Sequence, residues 1–324
     1  MKSIEEIIKK MINIIIKEFL DIVKNLFIKN SKFSNLLLKR YYKSLFFRKK
    51  HIKKKSFSWL KEIDIKILNQ NEGKLVYKNL EFIIPKNELS SIPLSEKYLF
   101  AALIGYFNIP SYYLLFWDHL IIFREIFVEN LYDKIKFIKK GDTIIDIGSS
   151  IGWYVCKIAE LIGKNGKIIA IEPDPLNFKY LKRNIILNNV TNVTLFNIGI
   201  WSSKRKLFLA SEKYASKIEI HVDSKKGHNF KLVEVDTIDN LSLNLEKIDL
   251  IKMDIEGAEI EAVKGAMNVL KSSNSINLII SAYHEIKKDI KTYKILLPIL
   301  EKINFNIQKK YLPFIYASKE GNKN

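Results

Sequence analysis

The sequence predicts an α/β fold, a parallel sheet with helices on its faces. Three observations carry that reading. Short apolar strands alternate with segments of helical spacing from Thr143 to Asn197. A glycine turn, Asp146-Ile-Gly-Ser-Ser-Ile-Gly152, joins the first strand to the first helix. A second strand, turn and helix begin at Ile248 and lead into a further helix and two closing strands. Strand–helix alternation of this kind means βαβ units, with right-handed crossovers as the default.

The elements follow in order. Thr143–Ile147 reads as a strand and Trp153–Ile162 as a helix, stopped by Gly163, Asn165 and Gly166. Lys167–Glu172 is a second strand closed by Pro173, Asn177–Asn188 a second helix, and Val193–Asn197 a third strand. Ile248–Asp254 is the fourth strand, with a helix from about Ala258 to Leu270. Ile276–Ser281 is the fifth, ending at Tyr283-His284, with a long helix over about Ile286–Ile303 and strands near Phe305–Lys310 and Phe314–Ser318. Residues 206–235 read as a hairpin-like insertion. Upstream, residues 74–84 read as a hairpin turning at Lys78-Asn79, and Leu94–Phe107 and Tyr112–Tyr132 as apolar, aromatic helices.

Charge divides the chain further. Of the net +19, residues 1–60 hold +12, from 16 basic and 4 acidic side chains. Three parts follow: a basic amphipathic helical extension over 1–60, an accessory, substrate-side region over 61–140, and a catalytic domain over 141–324. In the first part Ile4, Ile8, Met11, Ile15, Leu20, Ile22 and Leu26 recur near helical period. Lys39–Lys55 then interleaves nine basic residues with aromatics, which suits an anionic lipid surface, or bases with phosphates. Packing on the catalytic domain, with solvated lysines, explains the same pattern. No secretory signal or membrane-spanning stretch is evident, so the expected location is cytoplasmic, with peripheral membrane contact through residues 1–60. Cys156 is the only cysteine, which excludes an intramolecular disulfide and a multi-cysteine zinc site. Its place in the first helix suggests a buried, inert thiol.

The glycine turn points to a nucleotide-like ligand. Gly148 permits a sharp turn and a close approach, and Gly152 permits close helix packing. Glu172 stands at the end of the second strand, where a carboxylate can accept both ribose hydroxyls. Dinucleotide sites use G-x-G-x-x-G and face a pyrophosphate. Here the spacing is G-x-x-x-G behind Asp146, and an acid there opposes a pyrophosphate. It suits a cationic ligand, and S-adenosylmethionine is one.

The segments GDTIIDIGSSIGWY, IAIEPDPLNFKYLKRNIILNN, VTLFNIGI and IDLIKMDIEGAEIEAVKGA together resemble the FkbM family of S-adenosylmethionine-dependent methyltransferases. DIEGAE is the most specific of these elements. The resemblance covers about Gly141–Ser318. It implies a class I methyltransferase (Rossmann-like) seven-stranded sheet of order 3-2-1-4-5-7-6, and O-methylation as the usual chemistry. By position, Asp146, Gly148, Ser149 and Gly152 match the first cofactor motif and Glu172 the ribose acid. Asn197 and Ile198 fall where the adenine edge is met. Asp254, Glu256 and Glu259 match the fourth-strand block, and His284 a histidine after the fifth strand. This chain has Ser149-Ser150 where the family often has Ala-Asn, and Ala282 where it often has an acid.

Methyl transfer to a hydroxyl requires positioning and removal of a proton. His284 is the candidate general base, with Asp254 as base or orienting group. Asp254 capping the following helix, and His284 as a structural residue, are the alternatives. No metal is expected, although Asp254, Glu256 and His284 could supply ligands. The expected function is O-methylation of a hydroxyl on a glycan, lipid-linked sugar or other small molecule. The alternatives are RNA methylation, suggested by the basic N-terminus, and a non-catalytic scaffold that keeps the fold. Nucleic acid is the less expected partner. The Asn/Asp-Pro-Pro-aromatic motif of amino-group methylation is absent after the fourth strand, where the chain reads Asp254-Ile-Glu-Gly.

Overall fold

The computed structural model describes residues 59–86, 116–211, 216–219, 229–287 and 290–320. The expected N-terminal amphipathic helix, the basic–aromatic block and the Leu94–Phe107 helix lie outside them. The chain divides into two units, one of residues 1–73 and 85–117, the other of 74–84 and 118–324. The first unit contains strand β1 (Ile63–Ile67).

The second unit is built on a seven-stranded sheet. Its strands are β4 (Thr143–Ile147), β5 (Lys167–Ile171), β6 (Val193–Phe196), β11 (Leu250–Met253), β12 (Ile276–Ser281), β15 (Asn306–Ile307) and β16 (Phe314–Lys319). They lie in the order β15-β16-β12-β11-β4-β5-β6. The five central and outer strands from β12 to β6 are parallel, and β16 runs antiparallel to β12 and β15. Counted along the chain within this sheet, that is 3-2-1-4-5-7-6, the class I methyltransferase order. Strands β4 and β11 are apolar nearly throughout and buried at every position, as sheets covered on both faces require. Ile145, Ile147, Ile251, Met253, Leu278 and Ile280 form the centre of the core.

A second sheet holds β7 (Gly199–Ile200), β8 (Arg205–Ser211), β9 (Ser216–Glu219) and β10 (Asn229–Asp236), in the order β7-β10-β8-β9. Its antiparallel β8–β10 pair is the insertion expected over 206–235.

Helix α1 (Trp117–Phe123) precedes β4, α2 (Trp153–Ile162) and α3 (Pro175–Leu187) follow β4 and β5, and the short α4 (Ile238–Leu241) precedes β11. Asp174 caps α3, its carboxylate accepting from the Leu176 and Asn177 N–H groups, with Pro175 at the first turn. Strands β2 (Glu72–Tyr77) and β3 (Leu80–Pro85) form the expected hairpin, with Lys78 at φ +54° in its turn. Two asparagines of α3 and its C-cap hold that hairpin. Asn184 Oδ1 accepts from Ile83 N–H at 2.7 Å, and Asn188 Oδ1 from Glu81 N–H at 2.9 Å. Their amide groups donate back to the Ile83 and Glu81 carbonyls. The side chains thus act as a short partner strand, satisfying backbone groups that burial would otherwise leave unpaired.

Two helices differ from expectation. The single helix over Ala258–Leu270 is two, α5 (Glu259–Lys264) and α6 (Met267–Ser272). Gly265 separates them. A Cβ at Gly265 would lie 2.1 Å from the Trp201 carbonyl oxygen, so only glycine fits this approach. The long helix from Ile286 begins later, as α7 (Thr292–Lys302). A small hairpin, β13 (Glu285–Lys287) and β14 (Ile290–Lys291), precedes it. The Thr292 N–H donates to the His284 carbonyl and the Tyr293 N–H to the Ala282 carbonyl. These bonds pin the turn after β12 to the start of α7 and so fix His284. Among the described residues, no helix is long and apolar enough to cross a membrane.

Candidate active site

The site is built at the C-terminal ends of β4, β5, β11 and β12, where open α/β sheets bind ligands. Asp146 is completely buried on β4, in register with Lys252 on β11. Lys252 Nζ lies 2.9 Å from Asp146 Oδ1 and donates to the Gly148 carbonyl at 3.0 Å. Its ammonium also sits over the Tyr132 ring, 5.0 Å from the centroid. The sequence assigns Asp146 to a cationic ligand, but the cation that meets it is the chain's own.

The glycine turn is closed by its own polar groups. The Gly148 and Ser149 N–H groups both donate to the Ile171 carbonyl. Ser149 Oγ donates to the Asp146 carbonyl and accepts from the Ile171 N–H. Gly148 adopts φ +79°, and a Cβ there would fall 1.9 Å from the Asp254 carbonyl oxygen. The turn and the end of β11 are therefore in contact. Gly152, at φ +94°, faces the Leu181 side chain of α3.

Glu172 follows β5 and is buried. Its carboxylate accepts from the Ser150 N–H at 2.8 Å and from the Asp174 N–H at 3.0 Å. Burial pushes its carboxyl up to about 7, against those two hydrogen bonds. Asn197 Nδ2 donates to the Glu172 and Pro173 carbonyls, bracing the loop that carries the acid. Ile198 packs against the sheet core.

Beside the turn lies a cluster of acids around one histidine. His284 Nδ1 is 2.8 Å from Glu259 Oε1. His284 Nε2 is 3.3 Å from Glu256 Oε2 and 4.0 Å from Asp254 Oδ1. The two glutamates hold His284 up to about 10, although burial alone lowers it. Asp254 does not cap the following helix. Its Oδ2 accepts from the Tyr132 hydroxyl at 2.5 Å, and burial raises its carboxyl above the usual range despite Lys252 and Tyr132. Glu259 is completely buried, and its Oε1 also accepts from the Ile255 and Gly257 N–H groups. Glu125 lies on a π-helical turn (Arg124–Val128) and is pushed up to about 7 by burial and by Asp254. Cys156 is buried, its thiol pushed up to about 12, as suits an inert side chain.

No sequence motif singles out Tyr132, Glu125 or Lys252. A lysine inside an apolar strand, Leu250-Ile-Lys-Met253, is a signal that could have flagged the third. Tyr132 and Glu125 lie outside every motif and reach the site only through the fold.

The Methyltransferase FkbM domain matches residues 146–307, from the acid of the glycine turn to the end of β15. The chain belongs to the FkbM methyltransferase family. Methyltransferase sdnD of Sordaria araneosa is 28% identical over 177 residues, covering 44% of this chain and 67% of its own. The hexuronic acid methyltransferase AglP of Haloferax volcanii is 27% identical over 138 residues, covering 43% of this chain and 55% of its own. The chain thus spans about two thirds of one of these relatives and about half of the other. A solved S-adenosylmethionine-dependent methyltransferase from Aquifex aeolicus aligns over 60% of this chain and 92% of its own, with 16% identity and a TM-score of 0.37.

For an FkbM methyltransferase, S-adenosylmethionine is the expected cofactor. Glu172 fits its ribose end. The carboxylate is buried at a strand end, each oxygen accepts one backbone N–H, and the Asn177 side chain hydrogen-bonds the same acid, which leaves one acceptor position open and one that Asn177 would yield to a hydroxyl. A carboxyl raised to about 7 gives this fit a pH dependence. Its folded pKa lies above the unfolded value, so the neutral form prevails below 7 and the carboxylate above. The carboxylate is the better acceptor for two hydroxyls. Cofactor affinity, measured by calorimetry, is therefore expected to tighten as pH rises through about 7, by at most about tenfold per unit. In Glu172→Gln the curve is expected to be weak and flat. An unchanged pH profile in that variant would take Glu172 out of the cofactor site.

Proposed function

We propose that the protein is an S-adenosylmethionine-dependent O-methyltransferase acting on a hydroxyl of a glycan, a lipid-linked sugar or another small molecule. One observation carries the reading: the carboxylate–imidazole cluster at the ends of β11 and β12 touches the cofactor turn through Asp254 and Gly148. A hydroxyl is a poor nucleophile until its proton is withdrawn, so O-methylation needs such a group where the methyl is delivered. When bound, S-adenosylmethionine supplies an electrophilic methyl on a sulfonium.

The residues divide the remaining work. Glu172 takes the ribose hydroxyls. Asp146 and Lys252 hold the glycine turn from below through the Gly148 carbonyl. Asn197 braces the Glu172 loop, and Ile198 offers an apolar edge beside it. His284 has both ring nitrogens facing glutamates, so it is an anchored part of the cluster and no free base. Asp254 Oδ1 carries no hydrogen bond, whereas Tyr132 holds Oδ2.

The hexuronic acid named for one relative makes sugar acids the first acceptors to try. The test is transfer of labelled methyl from S-adenosylmethionine to a panel of sugars, uronic acids and polyprenyl-linked sugars, with the product read for an O–CH3 linkage. Label appearing only on amino groups, or only on RNA, would overturn the reading.

A further inference from the structure

We propose that Asp254, Glu256 and His284 bind a divalent first-row metal ion of the Mn2+ type through Asp254 Oδ1, Glu256 Oε2 and His284 Nε2. One donor atom from each of the three residues lies within 4.8 Å of the other two. His284 Nε2 is 3.3 Å from the glutamate oxygen and 4.0 Å from the aspartate oxygen. Metal–ligand bonds of about 2.0–2.2 Å place neighbouring donors about 3 Å apart and opposite donors about 4.4 Å apart. The three atoms therefore span the distances one ion needs.

Three independent features aim the donors inward. Glu259 Oε1 sits 2.8 Å from His284 Nδ1, on the side of the ring away from the other two acids. That oxygen is fixed by the Ile255 and Gly257 N–H groups in a fully buried side chain. A carboxylate holding the far nitrogen is the usual support of a metal-ligating histidine, since it turns the other nitrogen's lone pair to the ion. Asp254 Oδ1 is enclosed and has no hydrogen-bond partner, while Tyr132 occupies Oδ2. Glu256 holds φ +54°, a backbone state that a non-glycine residue adopts at a cost. It belongs to the turn that carries its carboxylate to the histidine.

The charge also calls for a cation. Asp254, Glu256 and Glu259 surround one imidazole. Lys252 is already committed to Asp146 and to the Gly148 carbonyl. Two oxygens and one imidazole favour manganese, iron, cobalt or zinc over magnesium or calcium, which prefer all-oxygen shells.

The ion's role rests on the O-methylation reading, although its binding does not. A hydroxyl coordinated to it loses its proton to water. The oxygen then forms the bond to the methyl carbon as the carbon–sulfur bond breaks, with that electron pair going to sulfur.

The test is Mn2+ titration of the full chain by electron paramagnetic resonance, with S-adenosylmethionine calorimetry as a check on folding. One Mn2+ per chain, bound below about 1 mM, is expected. Asp254→Asn and His284→Gln are expected to weaken it at least tenfold while still binding S-adenosylmethionine, and Glu259→Gln to weaken it about 10- to 100-fold. No binding below about 1 mM, or binding unchanged in these variants, overturns the site. Hydroxyl methylation that survives complete chelation overturns the ion's role in the reaction and leaves the O-methylation reading standing. Bound Mn2+ in a protein that methylates no hydroxyl supports the site and counts against that reading.

Discussion

Asp254→Asn is expected to lower turnover by about 10²–10⁴ while S-adenosylmethionine affinity stays within about threefold. The substitution keeps size and shape. Asparagine can still accept the Tyr132 hydroxyl through its amide oxygen, so the contact at 2.5 Å survives in kind. The backbone anchor of the residue, its N–H on the Ile147 carbonyl, is untouched. What disappears is the charge on Oδ1, an enclosed carboxylate oxygen without a hydrogen-bond partner. Loss in kcat with little change in cofactor Kd would place Asp254 at the methyl-acceptor end of the site, acting on the hydroxyl directly or through the ion. Loss of cofactor affinity alone would make it a binding residue, and unchanged turnover would remove it from the mechanism. His284→Ala is expected to follow the same pattern, since it leaves Glu259 and Glu256 without the imidazole that organises them.

Lys252→Met is expected to destabilise the fold by about 3–5 kcal/mol, read from denaturant unfolding. Both partners are almost fully buried, at 3% exposure for Lys252 and 0% for Asp146. Methionine fills most of the volume but leaves the Asp146 carboxylate with no counter-charge in the sheet interior. It also leaves the Gly148 carbonyl without its donor. The double variant Asp146→Asn/Lys252→Met is expected to recover most of the loss, because a buried amide costs far less than a buried carboxylate. Equal instability in the double variant would mean that Lys252 acts by packing on Tyr132 and Tyr154, and not through its charge.

Much of the fold is legible along the chain. The strands Thr143–Ile147 and Ile276–Ser281 and the helix Trp153–Ile162 have the bounds that their apolar runs and glycine stops indicate. Local period carries those elements, and local period is written in neighbouring residues. The two misread helices fail for long-range reasons. Gly265 breaks a good helical pattern because Trp201, far away in sequence, needs the space. The start of α7 is delayed because its first two N–H groups bond to Ala282 and His284.

The candidate site divides the same way. Sequence motifs locate Asp146, Gly148, Glu172, Asp254 and His284 because each ends a strand, and strand ends are predictable. They do not say which charge meets which. A carboxylate's partner depends on sheet register, and register puts Lys252 opposite Asp146. It also depends on loop closure, which sets Glu256 and Glu259 on the two nitrogens of His284 and carries Tyr132 to Asp254. By itself, then, the sequence determined the sheet, its cofactor turn and the family. Only the tertiary structure decided which acids are already paired within the chain and which stand together around one histidine. Period and turn chemistry act over a few residues, whereas electrostatic pairing acts through space.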